Sequence, residues 1–126
     1  MTLYINTASQ AETIIALINN NQERVSKKFK FAHRQAEKLL PAIAKLLKAN
    51  KFKLTDIKKI MVASHGGSFT SLRIGVVTAN ALGYALKVPV ISEETGKADK
   101  IFSKYSLIEP VYSSEPNIGQ PKTKDF

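Results

Sequence analysis

The chain contains no cysteine in its 126 residues, so neither a disulfide nor thiolate chemistry contributes to its fold or function. It also has no long hydrophobic run, because the longest uncharged stretch, residues 74–86, is shorter than the roughly 20 residues that span a bilayer. The first residues lack the basic start and apolar run of a signal peptide. We therefore expect a soluble cytoplasmic protein of one domain.

Acidic residues are scarce, since ten Asp and Glu face nineteen Lys and Arg and leave a formal charge of +9. A basic surface suits nucleic acid or an acidic protein partner. Lysines outnumber arginines sixteen to three, and Lys is the less specific reader of phosphate. A basic RNA-binding module remains an alternative function, although it calls for aromatics interleaved with lysines, and Phe29 and Phe31 alternate away from the lysines.

Hydrophobic periodicity predicts an α/β domain with the element order β-β-β-α-β-α-β-α. The predicted strands cover residues 3–6, 13–18, 24–31, 60–63 and 88–91, and the predicted helices cover residues 32–50, 71–86 and 97–105. Proline and glycine interrupt the chain from Glu109 onward. We therefore predict one domain over residues 1–108 and an irregular tail over residues 109–126.

A segment rich in glycine and hydroxyl groups leads from a predicted buried strand into the second long helix: Gly66, Gly67, Ser68, Phe69 and Thr70. Backbone N–H groups at such a helix start bind an anion or are capped by a hydroxyl. The segment lacks the Gly-Lys-Ser/Thr ending of a phosphate-binding P-loop. We therefore favour a cap from Ser68 or Thr70 over an anion site.

The titratable side chains do not form a catalytic or metal-binding set. His33 and His65 are the only histidines, and two histidines alone make a poor metal site. Glu93 and Glu94 are adjacent and point apart in an extended segment, whereas paired-carboxylate chemistry needs them to converge on one bond. We predict no catalytic residue, no metal and no cofactor.

The second long helix carries almost no charge and is apolar on more than one side. Small residues spaced by four form one smooth ridge: Gly75, Ala79 and Gly83. A second, mixed stripe carries Arg73, Val77, Asn80 and Tyr84. We expect one side to pack on the sheet and the other on a partner helix. Packing of the glycine ridge on the chain's own sheet remains an alternative to a partner contact.

Residues 66–75, Gly-Gly-Ser-Phe-Thr-Ser-Leu-Arg-Ile-Gly, closely resemble the Gly-Pro-Gly-Ser-Phe-Thr-Gly-Leu-Arg-Ile-Gly signature of the TsaB (YeaZ) family. This family supplies the bacterial partner subunit for tRNA threonylcarbamoyladenosine (t6A) synthesis. Residues 3–9 resemble the family's Ile-Leu-Ala-Ile-Asp-Thr-Ser start, and residues 33–41 resemble its His-Ser-Gln-x-Leu-Leu-Pro helix start. Residues 54–57 and 88–91 are similar to the segments around its next strands, in the same order.

The resemblance implies a single actin-like (ASKHA, ribonuclease H-like) lobe with a mixed sheet of about five strands. Family members have two lobes, so the resemblance implies a short form whose residues 109–112 match the family's C-terminal segment. Actin-like ATPases place a metal-positioning Asp and a phosphate-admitting Gly where this chain has Asn6 and Ala8. ATP hydrolysis is therefore not expected, and a nucleotide-binding remnant stays as an alternative.

The resemblance also implies a non-catalytic scaffold that docks on a TsaD-like enzyme and supports threonylcarbamoyl transfer to the adenosine beside the tRNA anticodon. A TsaE-like ATPase and tRNA are implied as further partners through the complex, and a homodimer through the same helices is an alternative assembly. No membrane partner is implied. The predicted interface comprises His33, Ala36, Leu40, Ile43, Leu47, Arg73, Val76, Val77, Ala79, Asn80, Gly83 and Tyr84.

Overall fold

Three antiparallel strands come first, followed by two α-helices that each lead into a parallel strand. The computed structural model describes residues 1–9, 12–19, 24–30, 35–66, 69–101 and 106–111. The strands are β1 (Thr2–Asn6), β2 (Thr13–Ile18), β3 (Arg24–Phe29), β4 (Lys59–Val62), β5 (Val90–Ser92), β6 (Lys100–Ile101) and β7 (Ser106–Leu107). The helices are α1 (Gln35–Ala49) and α2 (Phe69–Leu86), with a 3-10 turn at Leu54–Asp56.

The main sheet has five strands in the order β3-β2-β1-β4-β5. β1 pairs with β2 and β2 with β3 in antiparallel fashion, whereas β4 runs parallel to β1 and β5 parallel to β4. Parallel pairs need a crossover connection, and α1 and α2 lie in those connections. The predicted mixed five-stranded sheet of an α/β domain is confirmed.

Both helices cover the same face of this sheet. Leu3 and Ile5 of β1 point to that face because side chains alternate along a strand, and the register sets them opposite Leu17 and Ile15 of β2. The remaining large side chains of this core are Leu39, Ile43, Leu46, Leu47, Ile57, Ile60, Val62, Val76, Val88, Val90 and Ile108. The apolar stripe of α1 therefore covers the core on the side away from the sheet.

The predicted third helix over residues 97–105 is wrong where the structure describes it. Lys100–Ile101 form β6, which pairs antiparallel with β7, and residues 102–105 lie outside the described residues. The buried hydroxyl of Ser106 accepts a hydrogen bond from the Val90 N–H (2.6 Å) and donates one to the Val90 carbonyl (2.8 Å). This tertiary attachment to β5 outweighs local helix preference.

Several element ends differ from the predicted ones. α2 begins at Phe69, two residues before the predicted start. β5 begins at Val90 because the Val88 N–H turns back to the Gly83 carbonyl (3.0 Å) and closes the end of α2. The last residue of β3 is Phe29, and the predicted start of the first helix at residues 32–34 lies outside the described residues.

Candidate partner-binding face

The glycine ridge of α2 packs on the chain's own sheet. A Cβ atom on Gly75 would lie 2.4 Å from the Thr7 Oγ1 at the end of β1. A Cβ atom on Gly83 would lie 2.3 Å from a Val90 methyl group and 3.2 Å from the Val88 carbonyl oxygen. Glycine in a helix costs about 1 kcal/mol relative to alanine. The close approach of α2 to the sheet accounts for both glycines, so the alternative of packing on the chain's own sheet is the correct one.

Thr7 anchors the first turns of α2 to β1. Its buried hydroxyl donates to the Ser71 carbonyl (2.5 Å) and accepts from the Gly75 N–H (3.0 Å). Those two backbone groups are the pair that an α-helix would join directly. The threonine therefore fixes the position of α2 on the sheet, and with it the side that the helix turns outward.

The outer side of α1 and α2 carries large apolar side chains in solvent. Leu40, Val77 and Tyr84 are 52%, 56% and 55% exposed. Ala36 and Arg73 are exposed beside them. A groove of about 290 Å³ runs between the two helices and is lined by Ala36, Thr70, Arg73, Ile74, Val77 and Thr78. We call the exposed set of Ala36, Leu40, Arg73, Val77 and Tyr84 the helix-pair face.

The structure divides the predicted interface residues into two groups. The members of the helix-pair face are accessible, whereas five others are buried in the chain's own core: Ile43, Leu47, Val76, Ala79 and Gly83. Buried side chains cannot contact a partner, so their placement at an interface is corrected. His33 lies outside the described residues. The inward side of a helix that is apolar all round cannot be predicted from its sequence, so the prediction included both buried and exposed residues.

Asn80 is used inside the chain. Its side-chain amide donates to the Ile108 carbonyl (2.8 Å) and accepts from the Ile108 N–H (2.9 Å). Three residues later, Val111 pairs with the end of β4 through its N–H to the Ser64 carbonyl (2.6 Å) and through its carbonyl to the Gly66 N–H (2.8 Å). Asn80 therefore holds a segment that includes residues 109–111 of the predicted tail, and its assignment to the interface stays a prediction.

Asn80→Ala is expected to detach this C-terminal segment locally. The change leaves the backbone N–H and carbonyl of buried Ile108 without their partners, at a cost of about 1–3 kcal/mol. Hydrogen exchange at the Ile108 N–H should accelerate, while exchange at Leu3 in the core should change less. Asn80→Asp keeps the acceptor and loses only the donor, so its exchange rate at Ile108 should lie between those of the wild type and Asn80→Ala. Unchanged exchange at Ile108 in Asn80→Ala would contradict this role.

The glycine-rich segment between β4 and α2 has part of its backbone engaged within the chain. Gly66 has a φ of 76°, a left-handed conformation that glycine adopts without strain, and its N–H is bonded to Val111. Gly67 and Ser68 lie outside the described residues, so the predicted cap from Ser68 remains a prediction. Thr70 lies inside the first turn, one residue after Phe69, and is exposed, which places it past the capping position.

Asn6, which the family resemblance matches to the metal-positioning aspartate of actin-like ATPases, is bonded within the chain. Its side-chain oxygen accepts from the Ala8 N–H (2.9 Å), and its amide nitrogen donates to the Tyr4 hydroxyl (3.0 Å). The Tyr4 hydroxyl in turn donates to Glu93 (2.7 Å). Within the described ranges, no three His, Cys, Asp or Glu side chains cluster as metal ligands would.

Glu93 and Glu94 have separate structural partners. Glu94 accepts from the Ser64 N–H (2.9 Å) just beyond β4, where the Ser64 and Ser92 hydroxyls also meet at 2.7 Å. Glu94 therefore has a structural role at the end of β4. His65 is half-buried beside this cluster, in a backbone bridge to Val111.

Some buried polar residues that position the elements were not predicted from the sequence: Thr7, Gln35, Ser64, Ser92 and Ser106. Gln35, for example, donates from its side-chain nitrogen to the Thr13 hydroxyl (2.7 Å) and so ties the start of α1 to β2. The available signal was their location, since three of them follow or end a strand of the sheet. None of the helices in the described residues is long and apolar enough to cross a membrane.

A protein-family model described as "TsaD: tRNA N6-adenosine threonylcarbamoyltransferase" matches residues 13–98, which is more than half of the chain. The curated proteins similar to this chain are tRNA threonylcarbamoyladenosine biosynthesis proteins TsaB. The chain belongs to the TsaB/YeaZ family. The resemblance on which the sequence analysis relied is thereby confirmed.

The similarity to individual members of the family is moderate. TsaB of Buchnera aphidicola subsp. Schizaphis graminum is 33% identical over 85 residues, which is 66% of this chain and 40% of that protein. TsaB of Escherichia coli (strain K12) is 32% identical over 94 residues, which is 74% of this chain and 39% of that protein. The chain thus spans about two fifths of the length of these relatives.

The structure of YeaZ from Pseudomonas aeruginosa superimposes with a TM-score of 0.67 at 25% identity. The superposition covers 72% of this chain and 42% of that chain. A second solved structure matches with the same TM-score, and its description speaks of similarity to peptidase YeaZ. These matches confirm the predicted actin-like α/β fold.

Proposed function

We propose that the chain is a non-catalytic scaffold subunit that docks on a TsaD-like enzyme through the helix-pair face. In this role it supports threonylcarbamoyl transfer to the adenosine beside the tRNA anticodon. A TsaE-like ATPase and tRNA would join through the complex. The observation that carries the proposal is the exposure of more than half of Leu40, Val77 and Tyr84 on two adjacent helices.

The chemistry of the helix-pair face suits a partner helix. α2 carries one charged side chain, Arg73, in eighteen residues, so its outward side has few charged groups for water to solvate. Contiguous exposed apolar surface of this kind marks interaction sites on small proteins. The groove between the helices is wide enough to receive a side chain from a partner, since its volume is about 290 Å³.

The proposal assigns the chemical step to the partner. Support comes from Asn6, whose amide oxygen is bonded to the Ala8 N–H and brings no negative charge for a metal ion. The Gly66 N–H, which a phosphate would need, is bonded to Val111. The Glu94 carboxylate caps the end of β4. These groups hold the sheet together, so they support a structural role for this end of the sheet.

Co-purification with the TsaD-like enzyme of the same organism tests the proposal. We expect the wild-type chain to elute from a sizing column in a stoichiometric complex. Leu40→Glu together with Val77→Glu should weaken the complex by roughly 100-fold or more, because charges would be buried at the centre of the contact. Both side chains are largely exposed, so the fold should be retained in the double variant.

Leu54→Glu is the matched control, since Leu54 is 46% exposed and lies in the 3-10 turn, away from the helix-pair face. It should bind like the wild type. A wild-type chain that passes the enzyme unbound overturns the docking proposal, as does an equal loss in the control. A homodimer of the isolated chain that the double variant dissociates would show that the same face also pairs two copies.

A further inference from the structure

β3 lies at one edge of the main sheet, on the opposite side from β5. Among the described residues it pairs with β2 alone, so one row of its backbone N–H and C=O groups points away from the sheet. Such a row is a template for another extended segment. Proteins use exposed edges of this kind to bind peptides as an added strand.

The helix side of β3 is incompletely covered. Val25, Lys27 and Phe29 face that side because they lie opposite the buried residues Leu17, Ile15 and Thr13. Phe29 thus shares its face with Lys27, which corrects the expectation that it alternates away from the lysines. α1 leaves a groove of about 380 Å³ along them, lined by Lys27, Phe29, Ala42, Lys45, Leu46 and Ala49. A second cavity of about 250 Å³ lies further along, where Val25 is 40% exposed.

The charged residues around this groove are mostly basic. Residues 24–30 and 35–49 contain seven basic residues and one acid: Arg24, Lys27, Lys28, Lys30, Lys38, Lys45 and Lys48 against Glu37. Lysines on an edge strand oppose pairing with a second copy, because like charges would then face each other. They attract an acidic segment for the same reason. The apolar floor of Phe29, Ala42 and Leu46 suits an aliphatic side chain between the acids.

We propose that β3 and the groove beside α1 bind an extended acidic segment of a protein partner as a sixth strand. Its backbone pairs with the edge of β3 that no described strand occupies, one apolar side chain enters the groove, and flanking carboxylates meet Lys27 and Lys45. Single-stranded RNA fits less well, because it calls for aromatic stacking and the main groove offers one aromatic ring, Phe29. This surface is independent of the helix-pair face, so either proposal can fail alone.

Fluorescence anisotropy with the full chain tests the proposal directly. The probe is a labelled peptide of about ten residues in which Glu and Val alternate, a strand-forming acidic sequence. Lys45→Glu and Ala49→Phe should each weaken binding roughly tenfold, the first by reversing charge and the second by filling the groove. Lys45 and Ala49 are both exposed, so neither change disturbs the core.

Two controls separate strand addition from general attraction to a basic protein. Lys97→Glu makes the same charge change in the turn after β5 and should leave the affinity within about twofold. A peptide N-methylated along both edges keeps its charge, loses its strand pairing in either direction and should bind at least about tenfold more weakly. Absence of binding, equal binding of the methylated peptide, or equal loss in Lys97→Glu each overturns the proposal. Tighter binding of a ten-nucleotide RNA, weakened by Lys45→Glu, would assign the groove to nucleic acid instead.

Discussion

Gly75→Ala is expected to lower the free energy of unfolding by about 1–3 kcal/mol, although alanine is the better helix former. The added Cβ would lie 2.4 Å from the Thr7 Oγ1 and 3.2 Å from its methyl carbon. Thr7 cannot move aside freely, because its hydroxyl is bonded to Ser71 and Gly75 at 2.5 and 3.0 Å. The helix or the threonine must therefore shift within a packed core.

Urea denaturation followed by circular dichroism measures this effect, and Thr7→Ala provides the control background. Thr7→Ala by itself removes the bridging hydroxyl and should cost about 1–3 kcal/mol. In that background Gly75→Ala no longer meets the hydroxyl and methyl groups of residue 7 and meets only its Cβ, at 3.3 Å. It should therefore be close to neutral or stabilising by up to about 1 kcal/mol. The prediction is contradicted if the losses of stability in the double variant are additive, or if Gly75→Ala alone is more stable than the wild type. Either result would show that the Thr7 side chain does not exclude a Cβ atom at residue 75.

Ile43→Ala is expected to destabilise the chain by about 2–5 kcal/mol, whereas Leu40→Ala, three residues away on α1, should change stability by less than about 1 kcal/mol. Ile43 is 1% exposed and belongs to the core, while Leu40 is 52% exposed. Removing the Ile43 side chain leaves a cavity, and removing that of Leu40 leaves a smaller exposed surface. Thermal denaturation of the two variants measures the difference.

For binding to the TsaD-like enzyme, the effects of the same two substitutions should be reversed in size. Leu40→Ala should weaken the complex at unchanged stability, and Ile43→Ala should leave the affinity of the folded fraction near that of the wild type. Equal destabilisation by both variants would mean that Leu40 is packed in solution and that the helix-pair face is not free. The pair thus tests both the core and the proposed interface.

The packing of Gly83 excludes it as a probe of the interface. A Cβ atom there would overlap a methyl group of Val90 and approach the Val88 carbonyl oxygen to 3.2 Å. A Gly83→Glu change would force a carboxylate toward the sheet, where burying an unpaired charge is costly. Lost binding in such a variant would indicate a damaged fold. The binding experiment therefore substitutes Leu40 and Val77 instead.

Local sequence patterns were sufficient to predict the class of the fold and most of its elements. Alternation placed β1 and β3, short apolar runs placed β2 and the buried strand near Ile60, and helical periodicity placed the two long helices. The motif over residues 66–75 identified the family. These features are local, so a single segment carries the physical signal for each of them.

Contacts between residues distant in sequence set which side of α2 faces inward and how residues 106–111 are held. Residues 97–101 follow no local signal for a strand, and β6 and β7 form because Ser106 attaches to Val90. In α2, inward and outward residues are equally apolar, so the contact of Gly75 with Thr7 sets the orientation. Such contacts join residues distant in sequence, and their energies depend on distances that no local pattern records.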